Sequence, residues 1–217
     1  MVGDVVAESW RLFVARFWRT LLIVALLLAP LELVVALFDP DFSSFAPSWW
    51  WWVAISSAVA LVAFPWVAGA IVHDVGLGDE KATDAYRGTA GRLYDLVVAA
   101  IVTTLGLALG TLLLIVPGLL LMARWGLVVP LIVLEGTAWR TALSRSNELV
   151  RGRTWSVVGI FVVLTLIALA IAAPVTLVAG FVLDNVFGAW LSTMVIDTVA
   201  VAFYSYAPFV LYRRLTT

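Results

Sequence analysis

Few residues in this chain could do chemistry, and those few are carboxylates and guanidiniums set in long apolar stretches. Glu32, Arg124 and Asp197 stand out. An ionisable side chain at bilayer depth costs roughly 2.5–3.5 kcal/mol on insertion scales, so it is kept where it is paired or faces water. Glu32 lies six residues before the outer end of the first expected span, and Arg124 six residues past Gly118. At the helical rise of about 1.5 Å per residue, both sit roughly 9 Å below the outer boundary. Asp197, eight residues into the last span from the same side, sits roughly 12 Å down. The matched depths predict a buried Glu32, Arg124 and Asp197 cluster. Such a cluster either pins the first, fourth and sixth spans by a salt bridge, or lines a cavity where the surplus carboxylate binds a proton, cation or headgroup.

Other chemistries lack their parts. With no Cys and a single His, disulfides, thiolate nucleophiles and zinc sites are not expected. His73 reads as a boundary residue. Gly76-Leu77-Gly78-Asp79 and Tyr94-Asp95 echo the two aspartate motifs of presenilin-like intramembrane proteases. Their order is reversed, and the first falls in a charged loop beside Glu80 and Lys81. There is no G-x-S-x-G elbow, no Gly-rich phosphate loop with Lys, and no His placed to serve a Ser as base. The reading is therefore of no catalytic residue, no metal and no cofactor. Asp74, Asp95 and Glu135 sit at span ends, where solvation or a nearby Arg suffices.

The elements that must position these charges follow from composition. Of 217 residues 64% are apolar and 12% charged, far from the roughly 45–50% and about 25% of soluble domains. The near-neutral net charge of −1 gives no footprint for nucleic acid. A spanning helix needs about 20 apolar residues, which predicts an all-α polytopic membrane bundle, a single integral membrane domain over 1–217. Six spans are expected, at about 20–38, 51–72, 96–116, 118–134, 155–182 and 189–211. The apolar run from Leu96 to Leu134 is too long for one helix, so it reads as a hairpin with its apex at Pro117-Gly118. Pro30, Pro65, Pro130, Pro174 and Pro208 would kink five of the spans. Gly106 and Gly110 form a GxxxG that favours close helix approach.

Sidedness comes from the basic residues. Arg11, Arg16 and Arg19 precede the first span, and Lys81, Arg87 and Arg92 lie between the second and third. Arg140, Arg145, Arg151 and Arg153 lie between the fourth and fifth, and Arg213 and Arg214 follow the sixth. Only Arg124 falls within a span; Asp39, Asp41 and Asp184 mark the opposite loops. The positive-inside rule then sets both termini in the cytoplasm. About twenty residues carrying Asp4 and Glu8 precede the first span, which argues against a cleaved signal peptide.

The segments before the first, third and fifth spans are amphipathic. In the first, Val6, Trp10, Phe13, Val14 and Phe17 oppose Asp4, Glu8, Arg11 and Arg19. Tyr86, Ala90, Leu93 and Val97 form such a face in the second, as do Trp139, Leu143, Ser146 and Leu149/Val150 in the third. Such helices lie in the interface plane. Each is followed by a similar tripeptide: Arg16-Phe17-Trp18, Arg92-Leu93-Tyr94 and Arg153-Thr154-Trp155. Arg16, Arg92 and Arg153 are expected to snorkel, and Trp18, Tyr94 and Trp155 to anchor at the headgroups. Trp49, Trp50, Trp51 and Trp52 form a second anchor on the opposite face. The pattern reads as an internal repeat of three helical hairpins, each preceded by an amphipathic helix.

Two stretches resemble a known family. One runs from Ile115-Val116-Pro117-Gly118 through Met122-Ala123-Arg124 to Val129-Pro130. The other runs from Val133-Leu134-Glu135-Gly136 through Ala142-Leu143, Ser146, Glu148-Leu149 and Arg151-Gly152 to Trp155. With the opening Ser9-Trp10-Arg11-Leu12-Phe13, they resemble the bacterial membrane proteins grouped with the membrane domain of glycerophosphoryl diester phosphodiesterases, and the YciC-type inner-membrane proteins. The resemblance implies a six-helix integral membrane protein. It does not imply phosphodiesterase activity, which in the fused members belongs to a separate soluble barrel. The expected function is that of a non-enzymatic scaffold or accessory component in envelope or lipid maintenance. Its expected partners are membrane lipids, other membrane proteins or a second copy of itself. The alternative is a small transporter or channel subunit whose pathway Glu32, Arg124 and Asp197 line.

Overall fold

In lipid a chain must satisfy its backbone hydrogen bonds internally, and uninterrupted apolar runs do so as helices. The computed structural model describes residues 2–37, 47–78, 81–182 and 186–216, and all regular structure among them is helical. The elements are α1 (Val2–Ala15), α2 (Phe17–Leu37), α3 (Pro47–Leu77), α4 (Ala82–Ala90), α5 (Leu93–Leu113), α6 (Ile115–Trp125), α7 (Val128–Glu135), α8 (Trp139–Val150), α9 (Thr154–Val182) and α10 (Val186–Thr216). The loop residues Asp39, Pro40, Asp41, Asp79, Glu80, Asp184 and Asn185 lie outside the described residues, as does the side chain of Trp49.

Six helical stretches are long and apolar enough to cross a membrane: Phe17–Val35, Trp50–Leu77, Leu93–Leu113, Val116–Glu135, Thr154–Val178 and Trp190–Thr216. The fourth is α6 and α7 in series. The apex of the third and fourth spans falls at Leu114, whose extended φ of −164° ends α5 and opens α6. That is three residues before the Pro117-Gly118 expected from sequence. Proline fits the first turn of a helix, where its missing N–H would have had no partner, so Pro117 starts α6 instead of turning the chain. Gly118 serves close approach: a Cβ there would meet the Thr111 backbone nitrogen at 3.0 Å. The GxxxG glycines act inside the same hairpin, Gly106 under the Trp125 ring and Gly110 against Gly118.

A second departure is the break at Gly126–Leu127. Pro130 is in the first turn of α7, again where its lost N–H is tolerated. The groups left open by the break go to one buried hydroxyl: Ser146 Oγ on α8 donates to the Arg124 carbonyl at 2.6 Å and accepts from the Leu127 N–H at 3.2 Å. Pro30, Pro65, Pro174 and Pro208 lie inside α2, α3, α9 and α10.

The core forms around α10, which packs against α1, α2, α3, α7 and α9. Its spanning window is 72% buried, against 17–44% for the other five, although it is the least apolar of them. The two facts have one cause, because hydroxyls that would be costly against lipid are enclosed by protein. Thr198 Oγ1 donates to the Met194 carbonyl and Ser205 Oγ to the Val201 carbonyl. Tyr206, one of the largest fully buried side chains, shares a hydrogen bond of 2.5 Å with Thr20 on α2. Trp10, Phe13 and Phe203 stack where α1 lies on α10.

Candidate functional site

Polar chemistry gathers in two places. The first is the end of the bundle where α1, α4 and α8 meet the span ends, here termed the basic end. Asp74, 2% exposed, accepts from Arg16 Nη1 at 3.0 Å and Arg19 Nε at 2.5 Å, so two cations share one buried carboxylate. Arg92 Nη1 donates to the carbonyls of Ile132 and Val133 at the foot of α7. Glu135 accepts from Arg145 Nε and from the Tyr212 hydroxyl, each at 2.9 Å. Asp95 Oδ1 accepts the first free N–H of α8, that of Trp139, at 3.0 Å. Arg214 reaches Glu8 at 2.6 Å. The Tyr86 hydroxyl of α4 donates to the Ile23 carbonyl of α2 at 2.6 Å, and burial pushes its ionisation well above the usual phenol range. The span-end acids are thus each engaged by a named donor. His73 packs against Gly88, where a Cβ would overlap the imidazole.

The amphipathic helices pack by lines of small and medium side chains. In α1 the buried residues are Val5, Ser9 and Phe13; in α8 they are Ala142, Ser146 and Val150. These stand eleven, seven and three residues ahead of Arg16 and Arg153. In α4, Ala85 and Thr89 stand seven and three ahead of Arg92, with Tyr86 buried beside them. The packed line is one step round from the apolar faces expected from sequence, and Trp10 and Val14 are exposed. Helices approach closely along small residues, so bulky apolar side chains flank the contact line. Trp18, Tyr94 and Trp155 are 74%, 72% and 66% exposed, so all three rings point away from the protein. Trp50 and Trp51 are also exposed, and Trp52 is half-buried.

The second place lies deeper, between α2, α3 and α10. There Glu32 and Asp197 line one cavity of about 270 Å³, together with Leu28, Ser56, Ser57 and Phe64. No basic side chain is among the residues that line it. Both Glu32 carboxylate oxygens are enclosed, and the acidic group that faces them is Asp197.

Arg124 does not join them. It lies on the flank of α6 turned to α8 and α9, in a polar cavity of about 370 Å³ with Ser144, Asn147, Glu148, Arg151 and Thr154. Counting residues along a helix gives distance along its axis but not direction, and each residue turns the side chain by about 100°. Glu32 and Asp197 meet because α2 packs on α10, whereas α6 packs on α5, α8 and α9. Among the described residues no group of three or more His, Cys, Asp or Glu side chains could hold a metal. Comparison with protein-family models, curated proteins and solved structures finds no match to this chain.

Proposed function

We propose that this chain is a non-enzymatic scaffold or accessory component of a bacterial cytoplasmic membrane, acting in envelope or lipid maintenance, with both termini in the cytoplasm. One observation carries the reading: at the basic end, neighbouring helices are tied to one another by side-chain bonds. Arg19 and Asp74 join α2 to α3, Tyr86 joins α4 to α2, Arg92 at the start of α5 joins it to α7, and Glu135 joins α7 to α8 and α10. A transporter must open at each end in turn, and these ties hold one end shut. The common register of the buried lines in α1, α4 and α8 supports three copies of one interfacial device, consistent with the family resemblance. Exposed Trp18, Tyr94 and Trp155 then seat the basic end among lipid headgroups.

A second reading, a small transporter or channel subunit, draws on the enclosed Glu32 beside Asp197. The chain has no Cys, so Ser56→Cys, on the wall of that cavity, separates the two. Protection from a membrane-impermeant thiol reagent in intact cells is the scaffold outcome. Labelling as fast as at an exposed control position overturns it in favour of transport.

A further inference from the structure

The polar cavity around Arg124 is built differently from the rest of the basic end. Five arginines of that end are bonded to the protein: Arg16 and Arg19 to Asp74, Arg92 to carbonyls, Arg145 to Glu135 and Arg214 to Glu8. The guanidiniums of Arg124 and Arg151 share one cavity from two different elements, and neither has a hydrogen bond or ion pair among the described residues. Glu148 supplies one carboxylate to the same wall, so two cations face a single negative charge and the cavity keeps room for a further anion. Ser144 and Asn147 add neutral donors on the α8 side.

The charge of the cavity sets the anion. Two guanidiniums and the carboxylate of Glu148 leave one positive charge, which matches a singly charged phosphodiester better than a phosphate monoester carrying about −1.5 to −2. Arginine forks also fit the paired oxygens of phosphate. The position sets the source. Thr154 lines the cavity, and the next residue, Trp155, turns a largely exposed ring outward, as side chains at headgroup level do. The volume of about 370 Å³ holds a headgroup but not acyl chains.

We infer that the cavity formed by Arg124, Arg151, Ser144 and Asn147 binds a phosphodiester group, with a phospholipid headgroup as its source. The inference rests on the reading that the basic end sits in the headgroup layer. Its test is independent of labelling at Ser56, because a lipid could occupy this cavity in scaffold and transporter alike.

The experiment uses the purified full chain in detergent, with retention of short-chain phosphatidylglycerol read by native mass spectrometry. Arg124→Gln/Arg151→Gln is compared with Arg11→Gln/Arg140→Gln, which removes equal charge from the same end outside the cavity. Retention is expected to fall roughly tenfold in the first pair and to stay within about twofold of wild type in the second. Equal falls in both mean diffuse electrostatics and overturn the proposal, as does equal retention of a phosphate-free diacylglycerol. Displacement of the lipid by millimolar inorganic phosphate supports the phosphate site but assigns it to a soluble ligand. Should the first pair fail to fold, Glu148→Gln tests the charge argument. It is expected to shift preference from phosphatidylglycerol toward doubly charged phosphatidic acid, and an unchanged ratio overturns the assignment.

Discussion

Asp74 and Glu32 are both carboxylates enclosed by the same bundle, yet their surroundings are opposite. Asp74 has two guanidiniums on its oxygens and sits where α2 and α3 meet the basic end. Glu32, nearer the other end of α2, has a second acid, Asp197, for a neighbour and no cation in the cavity it lines. The first arrangement offsets the cost of burial through paired charge and fixes two helices. The second sets the same cost beside another acid, with no cation to offset it. The contrast is between a carboxylate paired with cations and one that faces another acid, and four substitutions test it.

The largest effect is expected at Asp74. Asp74→Ala leaves Arg16 and Arg19 without their shared carboxylate, and breaking a buried pair from one side costs about 3 kcal/mol. A fall in the thermal midpoint in detergent checks this; an unchanged midpoint would show that the pair carries no weight. Glu32→Leu is expected to act in the opposite direction. Removing a buried acid with no cation in its cavity returns about 1 to 3 kcal/mol, so the midpoint should rise. A fall would mean that Glu32 stabilises the bundle and would erase the contrast.

Tyr86→Phe removes the hydrogen bond to the Ile23 carbonyl and is expected to cost about 1 kcal/mol near neutral pH. The phenol ionises less readily folded than unfolded, so its contribution is complete below the usual phenol value of about 10 and declines above it. Wild type and variant should therefore converge in stability as the solution is made strongly alkaline, which a pH series of melts would reveal. The smallest effect belongs to the exposed pair of Arg214 and Glu8, where Glu8→Gln is expected to cost under about 1 kcal/mol. Raised salt should abolish that difference while leaving the Asp74 effect largely intact.

The spans were legible in the sequence because their signal is length. The structural stretches Trp50–Leu77 and Thr154–Val178 contain or closely follow the apolar runs that foretold them. The span-end acids were legible as positions but not as pairs, since Asp74 is held by Arg16 and Arg19 from more than fifty residues away and Asp95 by the Trp139 N–H. The break between α6 and α7 was not legible, because its supporting residue is Ser146, nineteen residues beyond Leu127 and unremarkable among the polar side chains of α8. Arg124 was misplaced in depth as well as direction: counting from Gly118 set it near the outer boundary, whereas the packing of α6 on α8 and α9 brings it beside Arg151 and Thr154. The packed lines of α1, α4 and α8 were read one step off because hydrophobicity marks a face, whereas contact follows small residues such as Ser9, Ala85 and Ala142.

The central position of α10 has a consequence for biogenesis. The span most enclosed by its neighbours is also the last of the six to leave the ribosome. Until it arrives, the five earlier spans must keep a slot open in the lipid, with Thr20 and Glu32 of α2 facing it without their α10 counterparts, Tyr206 and Asp197. That half-built stage is the moment at which the chain most needs an insertase or chaperone, and at which a quality-control protease would find it most readily.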